Sequence, residues 1–384
     1  MVAVTQSASP IAGNRHEALM SIAHVQPELY QQQLTEKTAR LASLLQPFHA
    51  PPLDVFTSPS SHYRMRAEFR FWYEDGDFFY AMTGENNTIV RIDSFPVACE
   101  KINVLMPLLR EKLTAIPILR KKLFQVEFLA ATTGDCIISL IYHKPLDDIW
   151  KEQAAQLQAH LGCAIIGRSR GKKTVIGKDF VSEQFTVNGE IFHQRQPETA
   201  FSQPNAHVNQ HMLNWTVTCC KNNGKDLLEL YCGNGNFTLP LSRHFNKVLA
   251  TEVSKTSVHA LQHNVTKNNC DNIALARLSS EEFTQALNGV RPFRRLAHID
   301  LQDYQFSTVL VDPPRAGMDT DTLQLIQRFD NILYISCNPD TLTENLSTLC
   351  QTHRIEKAAL FDQFPYTHHM EAGVYLKKLA TDRQ

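Results

Sequence analysis

Downstream of Phe201, short apolar runs alternate with amphipathic stretches of helical period. That alternation restricts the second half of the chain to strand–helix units around a largely parallel sheet. The runs fall at 226–230, 248–252, 273–277, 308–312, 332–336, 359–364 and 373–379. Too few residues separate the last two for a crossover helix, so they are expected to pair antiparallel. The fold class is α/β, with a seven-stranded Rossmann-like domain over residues 201–384.

Upstream the texture differs. Runs at 63–73, 78–82, 88–93, 124–131 and 137–142 are short, aromatic and β-branched, with helical patterns at 97–113 and 146–161. A helix over 29–45 is ended by Pro47 and Pro51-Pro52. Residues 27–200 are therefore expected to form an N-terminal α+β domain, behind a poorly ordered tail at 1–26.

A length of 384 residues suits two domains, and 43% hydrophobic with 20% charged residues excludes a disordered chain. No apolar stretch approaches the length of a membrane span, and the first residues lack the pattern of a secretory signal, so a cytoplasmic protein is expected. Nine cysteines without a C-x-x-C pair fit neither a disulfide framework nor a metal cluster. The net charge of −1 means that a nucleic-acid partner would have to be met by local basic clusters.

The string Leu228-Glu229-Leu230-Tyr231-Cys232-Gly233-Asn234-Gly235-Asn236-Phe237 carries the first strand into a glycine turn. Gly233 and Gly235 let the backbone approach a ligand at the strand's carboxyl end, where open α/β sheets bind ligands. Glu252, 19 residues after Gly233, ends the second strand and is placed to accept hydrogen bonds from ribose hydroxyls. A dinucleotide site would show a third glycine at 238, which is Thr. S-adenosylmethionine has no phosphate to pack and fits better. A dinucleotide site and a purely structural turn stay open on this motif alone. Asp312-Pro313-Pro314-Arg315 closes the fourth strand at the same edge, the prolines aiming Asp312 at the crevice.

Ile335-Ser336-Cys337-Asn338-Pro339-Asp340 takes the fifth strand into a helix, whose dipole is expected to favour the Cys337 thiolate. Glu371 lies in Thr367-His368-His369-Met370-Glu371-Ala372-Gly373, between the last two strands. His368 and His369 would point apart and lack a third ligand, so no metal site is expected.

Together with Phe201-Ser202-Gln203-Pro204-Asn205, Ser61-His62-Tyr63-Arg64-Met65-Arg66-Ala67-Glu68-Phe69-Arg70 and Asp93-Ser94-Phe95-Pro96, these motifs resemble the RNA uracil-5-methyltransferases, above all their bacterial transfer-RNA branch. The resemblance covers nearly everything after residue 27. It implies S-adenosylmethionine as methyl donor, held by Gln203, Tyr231, Asn236, Glu252 and Asp312 beside the Gly233 turn. It also implies Cys337 as nucleophile, Glu371 as proton acceptor, and ribothymidine in the tRNA T loop as product. Ala372 stands where many members have Cys, which affects neither role.

The implied chemistry has a physical reason. Carbon-5 of uracil is a poor nucleophile until a thiolate adds to carbon-6 and converts the ring to an enolate. After methyl transfer, removal of the carbon-5 proton re-forms the double bond and expels the thiol. The uridine has to leave its stack to be reached.

RNA capture is expected from the first domain. Arg168, Arg170, Lys172 and Lys173 crowd into six residues, suited to phosphates. Arg64, Arg66 and Arg70 share one strand face, interleaved with Tyr63, Phe69 and Phe71, and Phe124 is a base-stacking candidate. The alternative is a solvated face over an aromatic core. The expected partner is tRNA, with other RNAs that carry a T-like loop, and the chain is read as a monomer. Ribosomal RNA is the nearest rival substrate, but such relatives often carry a cysteine cluster, whereas Cys99, Cys136 and Cys163 are widely spaced. An NAD-dependent oxidoreductase and a catalytically dead RNA-binding protein are more distant rivals.

Overall fold

The computed structural model describes residues 25–84, 87–221 and 223–380. After the helix Tyr30–Leu45 and strand β1 (Leu53–Phe56), the chain builds one sheet, a hairpin and then a second sheet. The first sheet uses β2 (Arg66–Glu74), β3 (Asp77–Thr83), β4 (Ile89–Ile92), β5 (Leu123–Ala130), β6 (Cys136–Tyr142), β7 (Ala164–Ser169) and β8 (Lys172–Ile176). Their order is β4-β3-β2-β5-β6-β7-β8. Only β6 and β7 pair parallel, because the helix Asp148–Leu161 carries the chain back between them. Phe69, Phe71, Tyr80 and Phe128 pack with Ile102, Met106 and Leu109 of the helix Glu100–Ala115, which supplies the core of this half. Strands β9 (Phe180–Val187) and β10 (Glu190–Pro197) form a separate antiparallel hairpin.

The second sheet contains β11 (Asp226–Leu230), β12 (Lys247–Thr251), β13 (Ile273–Ala276), β14 (Phe306–Val311), β15 (Asn331–Ser336), β16 (His353–Phe361) and β17 (Glu371–Lys378). With β1 at one edge the order is β1-β16-β17-β15-β14-β11-β12-β13. All pairs are parallel except the two made by β17, in agreement with the expected antiparallel end. Helices cover both faces, so β11 and β15 are buried throughout and read as unbroken apolar runs. In β17 only glycine fits at 373, since a Cβ there would come within 2.9 Å of the Phe361 and Trp215 rings.

Two expectations need correcting. Residues 30–56 do not join the N-terminal module: Leu34, Leu41 and Leu45 enter the core of the second sheet, and β1 pairs with β16 from Leu53↔Ala358 to Phe56↔Phe361. This covers an otherwise open edge and makes the sheet eight-stranded. Strands β7 to β10 were also absent from the sequence reading. In β7 the reason is Gly167, which suggests a turn but serves packing, because a Cβ there would collide with Leu146 and Trp150. The expected tail at 1–26 lies outside the described residues except for 25 and 26. No helix among the described residues is long and apolar enough to cross a membrane.

Candidate active site

Strand pairing brings the candidate residues into one row. Leu230 pairs with Thr251 and with Val311, so the residues that follow, Tyr231, Glu252 and Asp312, lie side by side at the carboxyl edge. Val311 pairs with Tyr334 on β15, and Ser336 pairs with Ala372 on the antiparallel β17. One step beyond that last pair, Cys337 and Glu371 stand opposite each other.

The glycine turn has backbone angles that side chains resist. Tyr231 (φ 62°), Gly233 (φ 56°) and Gly235 (φ 91°) all lie in the left-handed region, and a Cβ at Gly235 would strike Leu261. Gln203, Tyr231, Gly233, Asn236 and Asp312 line one crevice above the turn. Glu252 reaches the turn from behind: one carboxylate oxygen accepts the Gly233 N–H at 3.0 Å and the other the Ser254 N–H at 2.7 Å. The Asn236 amide is paired both ways with Asn209, at 2.8 and 2.9 Å. Gln203 Oε1 is buried without a hydrogen-bond partner, as are both oxygens of Glu229 on β11. A glycine cradle with unanswered polar atoms fits a polar, phosphate-free ligand such as S-adenosylmethionine.

Burial dominates the electrostatics. It raises the Asp312 carboxyl to about 7. It lifts Glu371, which is 2% exposed, well above the usual range, and the charge of Asp312 adds to the effect. The Cys337 thiol is pushed up to about 11, first by burial and then by Glu371 and Asp312, against a smaller opposing pull from Arg315. The expected thiolate preference is thus overturned for the ligand-free protein. Cys337 lies outside the Asn338 cap of the helix Pro339–Leu349, and nearby carboxyls with desolvation outweigh the dipole.

Sequence reasoning assigned Arg315 no role of its own and set His369 aside as half of a metal pair. Arg315 Nη2 lies 2.5 Å from His369 Nδ1, and its carbonyl accepts from the Asn338 amide at 3.0 Å and the Thr341 hydroxyl at 3.4 Å. The loops after Asp312, after Cys337 and before Glu371 are tied together at this point. The available signal was the position of Arg315 directly after the double proline. Among the described residues, no group of three or more His, Cys, Asp or Glu could hold a metal ion.

On the first sheet, Arg64, Arg66, Glu68 and Arg70 line a cleft together with Gln125 and Glu127. The Arg66 guanidinium is committed to the carbonyls of Glu198 and Ala200, each at 3.0 Å, and Arg64 Nε to the Arg66 carbonyl at 2.8 Å. Arg70 is exposed. Phe124 stacks on His143 with ring centres 3.9 Å apart. The cluster at 168–173, expected to meet phosphates, is a β-hairpin in which part of the charge is already paired. Arg168 is paired with the buried Glu198, and Lys173 meets Asp179 at 2.8 Å and Glu198 at 3.6 Å. Arg170 and Lys172 are exposed at its tip.

The family model for tRNA (Uracil-5-)-methyltransferase matches residues 29–379. The chain is 58% identical over 359 residues to the "tRNA/tmRNA (uracil-C(5))-methyltransferase" of Stutzerimonas stutzeri, covering 93% of this chain and 99% of that protein. It is 56% identical to the protein of the same description from Pseudomonas aeruginosa, covering 94% of this chain and 100% of that one. Among solved structures, the Pyrococcus abyssi tRNA (uracil-54, C5)-methyltransferase in complex with S-adenosyl-L-homocysteine shares the fold. Its TM-score is 0.70 at 21% identity, over 90% of this chain and 83% of that one.

Proposed function

The chain belongs to the tRNA (uracil-5-)-methyltransferase family, and from that premise we propose that it methylates carbon-5 of a T-loop uridine in tRNA through a covalent bond to Cys337. The observation that carries this reading is the pairing of Ser336 with Ala372, which sets Cys337 and Glu371 face to face beside the crevice of Asp312. S-adenosylmethionine supplies the electrophilic methyl group. Gln203, Tyr231, Gly233, Asn236, Glu252 and Asp312 are the residues that would hold it.

Cys337 adds its sulfur to carbon-6 of the flipped uracil, and the ring electrons move to make carbon-5 nucleophilic. Once carbon-5 carries the methyl group, Glu371 removes its proton; the double bond re-forms and the carbon–sulfur bond breaks. Both groups start protonated in the ligand-free protein, because burial favours their neutral forms. A positive charge entering the crevice favours the thiolate and the carboxylate and readies both.

Arg64, Arg66, Arg70 and Phe124 on the first sheet, with Arg168, Arg170, Lys172 and Lys173 on the β7–β8 hairpin, form the RNA-facing surface in this reading. Arg70, Arg170 and Lys172 contribute the exposed charge. A second substrate, an RNA with a T-like loop, agrees with the relatives' description, which names tmRNA beside tRNA. The reaction belongs in the cytoplasm, with the enzyme as a monomer. The test is nucleoside mass spectrometry of tRNA from cells lacking the protein. 5-Methyluridine is expected to vanish from tRNA and to return with the wild-type chain but not with Cys337→Ala. Unchanged tRNA with 5-methyluridine lost from ribosomal RNA would favour the rival substrate.

A further inference from the structure

The β9–β10 hairpin lies outside both sheets, yet it closes one side of the crevice. It is fastened to the glycine turn through Asn264 on the helix Lys255–Lys267. Asn264 accepts the Arg195 N–H at 2.7 Å, and its amide donates to the Asn234 carbonyl at 2.9 Å and the Arg195 carbonyl at 3.3 Å. Asn234 also donates to the Arg195 carbonyl at 3.3 Å. Asn268 holds His193 in the same way, at 2.8 Å from its N–H and 2.7 Å from its carbonyl.

Alternation along β10 turns Phe192, Gln194 and Gln196 inward. Phe192 enters the hydrophobic core, whereas Gln194 and Gln196 reach the crevice. Gln194 is 3% exposed, and neither its amide nitrogen nor its oxygen has a hydrogen-bond partner. A buried amide with both ends unanswered is worse for the free protein than a leucine of similar size. Its place in the crevice wall supplies a reason to keep it: a ligand group that answers both ends.

We propose that Gln194 is a cofactor-binding residue whose amide pairs with the α-amino-acid end of S-adenosylmethionine. The assignment rests on the methyltransferase reading and adds to it a residue from outside the glycine turn and the strand ends. Three considerations select that end of the ligand. Glu252 follows β12 outside the crevice lining, and its two oxygens, each holding one backbone N–H, keep lone pairs for the ribose hydroxyls in the methyltransferase reading. The sulfonium has to lie toward Asp312 and Cys337. What remains is adenine, which the ribose carries on the Glu252 side toward β13, and a zwitterion, which the sulfonium carries on the Asp312 side. Gln194, Gln196, Gln203, Asn234 and Asn236 share the crevice of Asp312, which Glu252 does not line, and all are neutral amides with a donor and an acceptor.

The experiment compares Gln194→Leu, and Gln194→Met as a second shape, with the wild-type protein by titration calorimetry. The ligands are S-adenosylmethionine, S-adenosylhomocysteine and 5′-methylthioadenosine, the last of which lacks the amino-acid end. Both variants should bind the first two about tenfold more weakly and the third as well as wild type does. Their ligand-free melting temperature should be equal to or above that of wild type, because an unanswered amide has been removed. Unchanged affinity for all three ligands, or an equal loss for all three, would overturn the assignment while leaving the methyltransferase reading intact. A wild-type protein that binds none of them would sink that reading and this assignment with it.

Discussion

Against the first sheet, the buried carboxylate of Glu198, which follows β10, is answered from several sides. Burial pushes its pKa up, but Arg168, Ser139 and Lys173 outweigh burial and hold it below the ordinary value. Near the carboxyl edge of the second sheet, Glu229 and Gln194 are just as hidden and Gln203 is half-buried, yet all three keep polar atoms without partners. The same residue types thus do two jobs. A satisfied buried charge stitches the chain to itself, whereas the unanswered amides of Gln194 and Gln203 in the crevice wall mark where a ligand has to bind.

The contrast predicts its largest effect where a buried ion pair is broken. Lys37, on the first helix, places Nζ 2.7 Å from the buried Asp362 and 2.7 Å from the Phe364 carbonyl, in the loop that leads to Glu371. Lys37→Met should destabilise the protein by about 3–5 kcal/mol in urea, because it strands a buried carboxylate, and adding Asp362→Leu should recover most of the loss. A single-variant loss below about 1 kcal/mol would place the pair with ordinary surface bridges and blur the contrast.

The unsatisfied edge should show itself through pH. Asp312 and Glu229 titrate near 7 and 8 in the folded protein, raised chiefly by burial, against about 4 for ordinary carboxyls. The folded state therefore holds protons that the unfolded chain has released. The contribution of these two groups to the stability of the ligand-free protein is full below about pH 4, is lost as pH rises through 7 to 8, and then levels off. Glu229→Gln should flatten the upper part of that decline in melting temperature, and an identical pH profile would contradict the assigned protonation.

The smallest effect separates two arginines of the first half. Arg70 is exposed in the cleft, so Arg70→Ala should weaken RNA binding and lower the salt slope by about 1, as the loss of one phosphate contact does. Arg168 is occupied by Glu198, so Arg168→Ala should lower the melting temperature and leave the slope alone. The reverse pattern would exchange their roles.

Much of this edge was legible in the sequence, because its residues follow strands directly in chain order. Tyr231, Asp312 and Cys337 each end an apolar run, and a parallel sheet brings such ends together. What could not be read depended on partners far away in the chain. Arg168 looked like a free cation because Glu198, its partner, lies 30 residues on. The helix Tyr30–Leu45 and β1 looked like part of the first module because their partners lie some 300 residues away. Gln194 carries no motif at all, and only its burial beside the glycine turn distinguishes it. The sequence placed Cys337 at a helix start but said nothing of the carboxyls that raise its pKa.

Covalent attack by Cys337 is the central claim, and 5-fluorouridine in a T-arm RNA tests it most directly. Fluorine at carbon-5 cannot leave as a cation, so an enzyme that adds its thiol and transfers methyl becomes trapped before release. With methyl-labelled S-adenosylmethionine, the wild-type protein should give a labelled protein–RNA complex that survives denaturing electrophoresis, with peptide mapping placing the link at Cys337. Cys337→Ala should bind the same RNA and give no such complex. Labelled, methylated RNA without any protein-linked species, or a complex that forms equally well in Cys337→Ala, would contradict the account.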